Sequence, residues 1–323
     1  MTGWAEAAAG VVAAVVAGAV PSSVLFTFAD REIAESSGLV DAGRVVFTVN
    51  DSGSGPLLYG VDTMTGETIS RTTYTSDEVV DVEALAPAPG GGVWVGDIGD
   101  NGASRDVVSV YRVRPGADSS TRLDLRYPGG PRDAEALLSH PRTGRLFVVS
   151  KTVFGGTVYA VPRGARPGSP VTMRPFARVP GLVTDGAFLP DGKHVVLRGY
   201  GSATVLSFPD FQVQGSVELP EQRQGEAVAV GRRGRVLLST EGVGTDVLQI
   251  ELPPDLTAAP SASSTPAPQE PTRAAAPSDD NEEKPRLERR GMWSSPLGAA
   301  ARVAMGVVML GALGYWWWRL RGR

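Results

Sequence analysis

From Val24 to Leu252 the chain is written in short β-rich apolar runs separated by polar turns that carry glycine. Five segments open alike, with an acid followed by small and apolar residues: Glu35-Ser36-Ser37-Gly38-Leu39, Glu83-Ala84-Leu85-Ala86, Glu135-Ala136-Leu137-Leu138, Asp185-Gly186-Ala187-Phe188 and Glu226-Ala227-Val228-Ala229. Each leads through a turn into a second run, at 44–50, 92–97, 145–150, 194–198 and 235–240. Two such runs joined by a glycine-bearing turn predict a β-hairpin. A third run recurs at 58–61, 110–113, 158–161, 205–208 and 247–250, and a fourth follows in four copies, near 68–74, 122–127, 173–179 and 214–219.

The fifth copy ends at Leu252 without its fourth run, while an unassigned run, Val24–Phe28, stands ahead of the first copy. Pairing that N-terminal strand with the last three closes a ring of five four-stranded blades. A repeat of about 41 to 52 residues suits propeller blades, and closure leaves only short, protected sheet edges. The predicted fold is therefore all-β, a five-bladed β-propeller spanning 22–253. Leu39, Leu85, Leu137, Phe188 and Val228 are expected to pack between blades, and Tyr59, Tyr111 and Tyr159 to fill them.

Composition adds the ends and removes several chemistries. Residues 1–21 form a small-residue apolar stretch followed by Pro21-Ser22-Ser23, the pattern of a signal peptide or N-terminal membrane segment. Residues 254–295 begin with a Pro/Ala/Ser/Thr-rich stretch, which predicts a disordered stalk. Residues 296–318 are apolar apart from Arg302 and finish on Tyr315-Trp316-Trp317-Trp318, which predicts a transmembrane helix with an interfacial aromatic belt. A basic tail, 319–323, follows. Basic residues are nearly balanced across that helix, so the N-terminal export signal sets the orientation, with the propeller extracytoplasmic and the tail cytoplasmic. A net charge of −4 and a pI near 5.4 leave no basic field for nucleic acid. The absence of cysteine removes thiol chemistry and disulfides. The only histidines, His140 and His194, fall between first and second strands, away from the acids, which argues against a histidine-based triad or zinc site.

In a propeller the first strand of each blade lines the central channel. Glu35, Glu83, Glu135, Asp185 and Glu226 are accordingly the candidate metal ligands, because converging carboxylates repel unless a cation or basic groups balance them. A hard divalent ion, Ca²⁺ before Mg²⁺, suits such an oxygen-lined site. The competing expectation is that the acids fasten loop amides. The second-strand ends on the same mouth differ from blade to blade and supply the candidate ligand-binding residues: Asn50, Asp51, Asp97, Asp100, Asn101, Lys151, Arg198 and Glu241. No catalytic residue is assigned.

The motifs ESSGL at 35–39, NDSG at 50–53, GDIGDN at 96–101 with Arg105, and DAEAL at 133–137 keep their order over roughly residues 31–152. They resemble those of a recurring bacterial family of secreted or membrane-anchored, WD40-like propeller proteins. The blade number also resembles that of five-bladed calcium-dependent nucleotidases, a likeness of architecture. Two functions follow as expectations. The leading one is a surface binding or sensing module for an extracellular small molecule, glycan or protein. The other is a calcium-dependent phosphoester hydrolase in which Lys151 and Arg198 grip the anion.

Overall fold

The computed structural model describes residues 16–17, 19–51, 53–117 and 120–257, all within one compact unit that lies inside Met1–Ser263. Of the expected stalk, 254–295, residues 254–257 are described and are ordered, a 3-10 turn Pro254–Leu256 with Leu256 buried in the core between blades 4 and 5. Residues 258–295, the expected membrane span and the expected basic tail lie outside the described residues, as does most of the expected leader. Among the described residues no helix is long and apolar enough to cross a membrane.

Five sheets of antiparallel strands form the blades. Blade 1 contains Ser36–Asp41, Val45–Asn50, Leu57–Asp62 and Thr68–Thr73. Blade 2 contains Val82–Ala88, Gly92–Asp97, Val108–Val113 and Ser120–Arg126, and blade 3 Ala134–Ser139, Leu146–Ser150, Gly156–Ala160 and Arg174–Val179. Blade 4 contains Asp185–Phe188, His194–Arg198, Ser202–Ser207 and Val213–Glu218. Blade 5 takes three strands from the end of the domain, Gly225–Val230, Val236–Thr240 and Asp246–Ile250, and its outermost strand, Ser22–Thr27, from the start. The ring is thus closed by the N-terminal strand, with Ser22 opposite Ile250 and Thr27 opposite Asp246. Two short parallel additions flank outer strands: Val171–Thr172 beside blade 2, and Val16–Ala17, from within the expected leader, beside blade 4.

Alternation along each strand sends side chains to opposite faces of its blade, and each face packs on a different neighbour. Leu39, Val46 and Tyr59 of blade 1 turn to Ala227, Ala229 and Leu237 of blade 5, whereas Val40, Phe47 and Val49 turn to Leu85, Val93 and Val95 of blade 2. The same division gives a separate apolar cluster at each of the other three interfaces. Leu137, fully buried between blades 2 and 3, is one of these contacts, and burying such a side chain stabilises by about 1.5–3 kcal/mol. The tyrosines at 59, 111 and 159 are buried in these layers, as the repeat implies.

Polar fasteners add direction to the apolar layers. Ser37 Oγ donates to Val82 O at 3.1 Å, joining the first strands of blades 1 and 2. On the closing seam Arg235 of blade 5 grips the buried carboxylate of Asp41 of blade 1, with Nη2 to Oδ1 at 2.6 Å. Gly231 makes room for that pair, since a Cβ there would come within 2.2 Å of Asp41 Oδ2.

Candidate metal and ligand site at the channel mouth

The site begins with irregularities in the innermost strands. In blades 2, 3 and 5 the pairing of the first two strands skips register between Val82 and Ala84, between Ala134 and Ala136, and between Gly225 and Val228. A bulge leaves its extra residue out of the ladder and re-aims the side chain. The residues inside these three shifts include Glu83, Glu135 and Glu226, and all three are buried. In blade 1 the shift falls around Ser37 instead, and the inner strand of blade 4 has none.

The backbone also defines which positions correspond. The carbonyls of Glu35, Asp81, Asp133 and Gln224 each accept from the residue just beyond the second strand or close to it: Asp51, Gly99, Lys151 and Glu241. Glu35 is therefore the counterpart of Asp81 and Asp133, two residues earlier than the register that aligns it with Glu83. It is half-buried at the rim rather than inside the channel.

Asp51, Asp81 and Glu83 bring carboxylate oxygens to within 4.8 Å of one another. Asp81 immediately precedes the strand Val82–Ala88 and Glu83 sits in the bulge at its start, so one short segment supplies both carboxylates. Gly99 permits the close approach, because a Cβ at that position would lie 2.6 Å from Asp81 Oδ2 and 2.7 Å from Glu83 Cγ. Asp97 positions the pair by accepting the backbone N–H of Asp81 at 3.0 Å, and is itself held by Arg105 at 2.8 Å. Glu83 is 7% exposed, and no hydrogen-bond donor among the described residues reaches its carboxylate. Burial, then the charges of Glu135, Asp51 and Asp81, hold its pKa well above the usual carboxylate range.

Next to this trio Lys151 Nζ donates to Glu135 Oε1 at 2.7 Å and to the Tyr200 hydroxyl at 3.3 Å. Burial works against the ammonium, but Glu135, Tyr200 and Glu226 together outweigh it and raise the Lys151 pKa. Burial lifts Glu135 to about 7 even with Lys151 beside it. Glu226 is pushed up to about 8 by burial and by Glu135, and Glu241 to about 7 by burial, Asp51 and Glu35. These groups form one electrostatic cluster drawn from blades 1, 2, 3 and 5, with Lys151 in its midst and the Arg198 guanidinium of blade 4 also acting on Glu226.

The remaining sequence candidates have other work. Asn50 accepts the N–H groups of Ala34 and Glu35, both at 3.1 Å, and donates to Glu32 O at 2.6 Å, which locks the approach to blade 1. Asp100 accepts from the backbone of Ser104 and Arg105 at 2.9 and 2.8 Å, while Asn101 is exposed on the same loop. Asp185 is fully buried, and its carboxylate takes the N–H of Gly186 at 2.7 Å and of Val228 at 2.8 Å, the fastener geometry. Burial still raises its pKa. Arg198 is 1% exposed and donates to Ala227 O, Ser239 O and Gln222 Oε1 at 2.5, 2.8 and 2.6 Å, clamping blade 4 to blade 5.

Sequence reasoning left out Asp81 and Tyr200. Asp81 had a signal in the Asp-x-Glu spacing, which keeps two carboxylates within one short stretch of chain at the start of a strand. Tyr200 had none, because its relation to Lys151 crosses from blade 4 to blade 3. The two histidines are used locally: His140 Nδ1 accepts from the N–H of Arg142 at 3.2 Å, and His194 Nδ1 meets Asp191 Oδ2 at 2.6 Å. The mouth therefore offers hard oxygen donors without nitrogen or sulfur ligands, a set that suits calcium or magnesium better than zinc.

No family model matches the chain, and no curated protein matches it. Among solved structures it is similar to a gluconolactonase from Xanthomonas campestris, at 16% identity over 73% of this chain and 88% of that one, with a TM-score of 0.44. It is also similar to two glucose dehydrogenase structures, at 12% and 11% identity, each over 72% of this chain and 100% of the other, with TM-scores of 0.43 and 0.44.

Proposed function

We propose that the protein is a membrane-anchored, extracytoplasmic binding module that holds a divalent cation, calcium, at its channel mouth and recognises an extracellular small molecule, glycan or protein there. The observation that carries this reading is Glu83, a buried carboxylate with no donor among the described residues, facing Asp51 and Asp81. Several carboxylates in one cavity repel, and ionising them together requires a counter-charge. Lys151 supplies one positive charge and is already committed to Glu135. A calcium ion held by Asp51, Asp81 and Glu83 would supply two more and would polarise an oxygen of a bound ligand. Lys151 and Tyr200 would orient that ligand, since Tyr200 is 45% exposed beside the mouth.

The hydrolase reading is less favoured. It requires Lys151 and Arg198 to grip an anion, and Arg198 is occupied by three internal acceptors. Anchoring rests on the sequence of 296–318 and export on that of 1–21.

Two experiments test the proposal. Calcium and magnesium titrations of the purified full chain by calorimetry should give saturable calcium binding, and heat no greater than that of a buffer blank would refute the metal site. Protease added to intact cells should release the propeller by cutting within 258–295; cleavage seen only after lysis would place the domain inside.

A further inference from the structure

At the end of blade 3 opposite the acid mouth, three arginines line one cavity, and no acid is among its lining residues. Antiparallel order puts the turns between first and second strands, and between third and fourth, at the end of the propeller away from Glu135 and Lys151. There Arg145, Arg163 and Arg174 line a cavity of about 290 Å³ with Ala160, Val161 and Pro162. Among the described residues none of the three forms an ion pair, and no side-chain hydrogen bond occupies any of their guanidinium groups. The Arg145 guanidinium is fixed against two aromatic rings, 5.0 Å from the centroid of Phe147 and 5.1 Å from that of Phe176. Its Nε–H is shut off from water and meets no acceptor. We propose that these three arginines form a binding site for a small oxyanion, a phosphate or sulfate group free or as an ester.

The repeat itself supplies a control. Register makes Arg235 of blade 5 the counterpart of Arg145 of blade 3, since Leu238 faces Leu248 as Val148 faces Tyr159. Arg235 is neutralised by Asp41 of the following blade at 2.6 Å, and in blade 1 Arg44, one residue before the matching position Val45, pairs with Asp62 at 3.1 Å. In blades 4 and 3 the positions matching Asp41 and Asp62 are Pro190 and Pro162. Both routes to an internal carboxylate are therefore closed at Arg145, while Arg163 and Arg174 add like charge. Proximity of Arg163, after burial, already disfavours the charged form of Arg145. An oxyanion offsets this repulsion, and guanidinium forks match the geometry of phosphate and sulfate oxygens. The cavity exceeds the needs of the anion alone and leaves space for a small organic group on an ester.

The site is independent of the acid mouth, and its test is separable. Thermal shifts of the full chain are followed at low ionic strength with orthophosphate, sulfate, pyrophosphate and glycerol 1-phosphate. A saturable rise in melting temperature that weakens with added sodium chloride is expected. Arg163→Gln and Arg174→Gln, both at exposed side chains, should each weaken binding about tenfold, and Arg145→Gln should abolish it. Arg114→Gln, at an exposed arginine just after the third strand of blade 2 and outside the cavity, and Glu83→Gln, at the other mouth, should leave it intact. Orthophosphate binding as well as the esters identifies a free-anion site, whereas response to glycerol 1-phosphate alone identifies an ester site; each supports the assignment. Absence of a saturable shift with all four anions, or an equal shift in the Arg163→Gln/Arg174→Gln double variant, would overturn it.

Discussion

Lys151 Nζ lies 2.7 Å from Glu135 Oε1 at the channel mouth, with both side chains mostly buried. Breaking a buried pair from one side leaves an uncompensated charge and costs about 3–5 kcal/mol. Lys151→Met should lose that much stability in urea melts run in EDTA. Adding Glu135→Gln should recover most of the loss, because the double variant no longer buries a lone carboxylate. Additive losses would mean that the two residues act separately.

Glu226 predicts a pH dependence. Its carboxyl holds a proton in the folded domain up to about 8, whereas the unfolded chain releases it near 4.5. Between those values the folded state binds more protons, so unfolding free energy falls as pH rises. Its contribution is fully present below about 4.5 and is lost as pH passes through about 8. Chemical denaturation in chelator at successive pH values should show this decline, and Glu226→Gln should make it shallower, most clearly near pH 8, with the remainder coming from Glu83, Glu135 and Glu241. An unchanged slope in the variant would assign the effect elsewhere.

Arg198 and Gly225 predict a structural phenotype. A Cβ at Gly225 would stand 2.0 Å from Arg198 Nη2, so Gly225→Ala must displace the clamp between blades 4 and 5. A loss of about 2–4 kcal/mol is expected for Gly225→Ala, with calcium affinity retained. Calorimetry that showed calcium binding abolished in a folded Gly225→Ala protein would instead tie this clamp to the metal site.

Ring closure predicts that the outermost strand of blade 5 matters out of proportion to its length. Deleting 19–28 removes Ser22–Thr27 together with Phe26 and Phe28, which pack against blades 1 and 5. The exposed edge of Asp246–Ile250 then becomes a template for association. The truncated protein should melt well below the full chain and aggregate in light scattering, and an unchanged melting temperature would contradict the closure.

The propeller was legible because the acid opening, the hairpin and the third strand recur in one order, and because Val24–Phe28 had no other place to pair. Convergence of Glu83 and Glu135 was legible for the same reason. The role of Asp185 was not, since a continuous strand in place of a bulge turns its carboxylate on to Gly186 and Val228. Nor was the blade 1 offset, where Ser37 takes the bulge and Glu35 moves to the rim. Side-chain destinations of Asn50, Asp97 and Arg198 depend on backbone groups brought close by folding. A sequence motif carries the residue types of such contacts and leaves their partners unspecified.

The most direct measurement of the central claim is calcium binding by the full chain, wild type against Glu83→Gln and Asp81→Asn, read by calorimetry and by melting temperature in EDTA and in excess calcium. Calcium at about 100 times its dissociation constant adds about 2.7 kcal/mol to the stability of the folded state alone. The wild type should therefore melt higher with calcium. Both variants should lose most of the response, and Glu83→Gln should match or exceed the wild type in EDTA, because it removes a buried carboxyl whose ionisation burial and the neighbouring acids oppose. A wild type whose melting temperature is indifferent to calcium, with Glu83→Gln destabilised equally in EDTA and in calcium, would contradict the metal site.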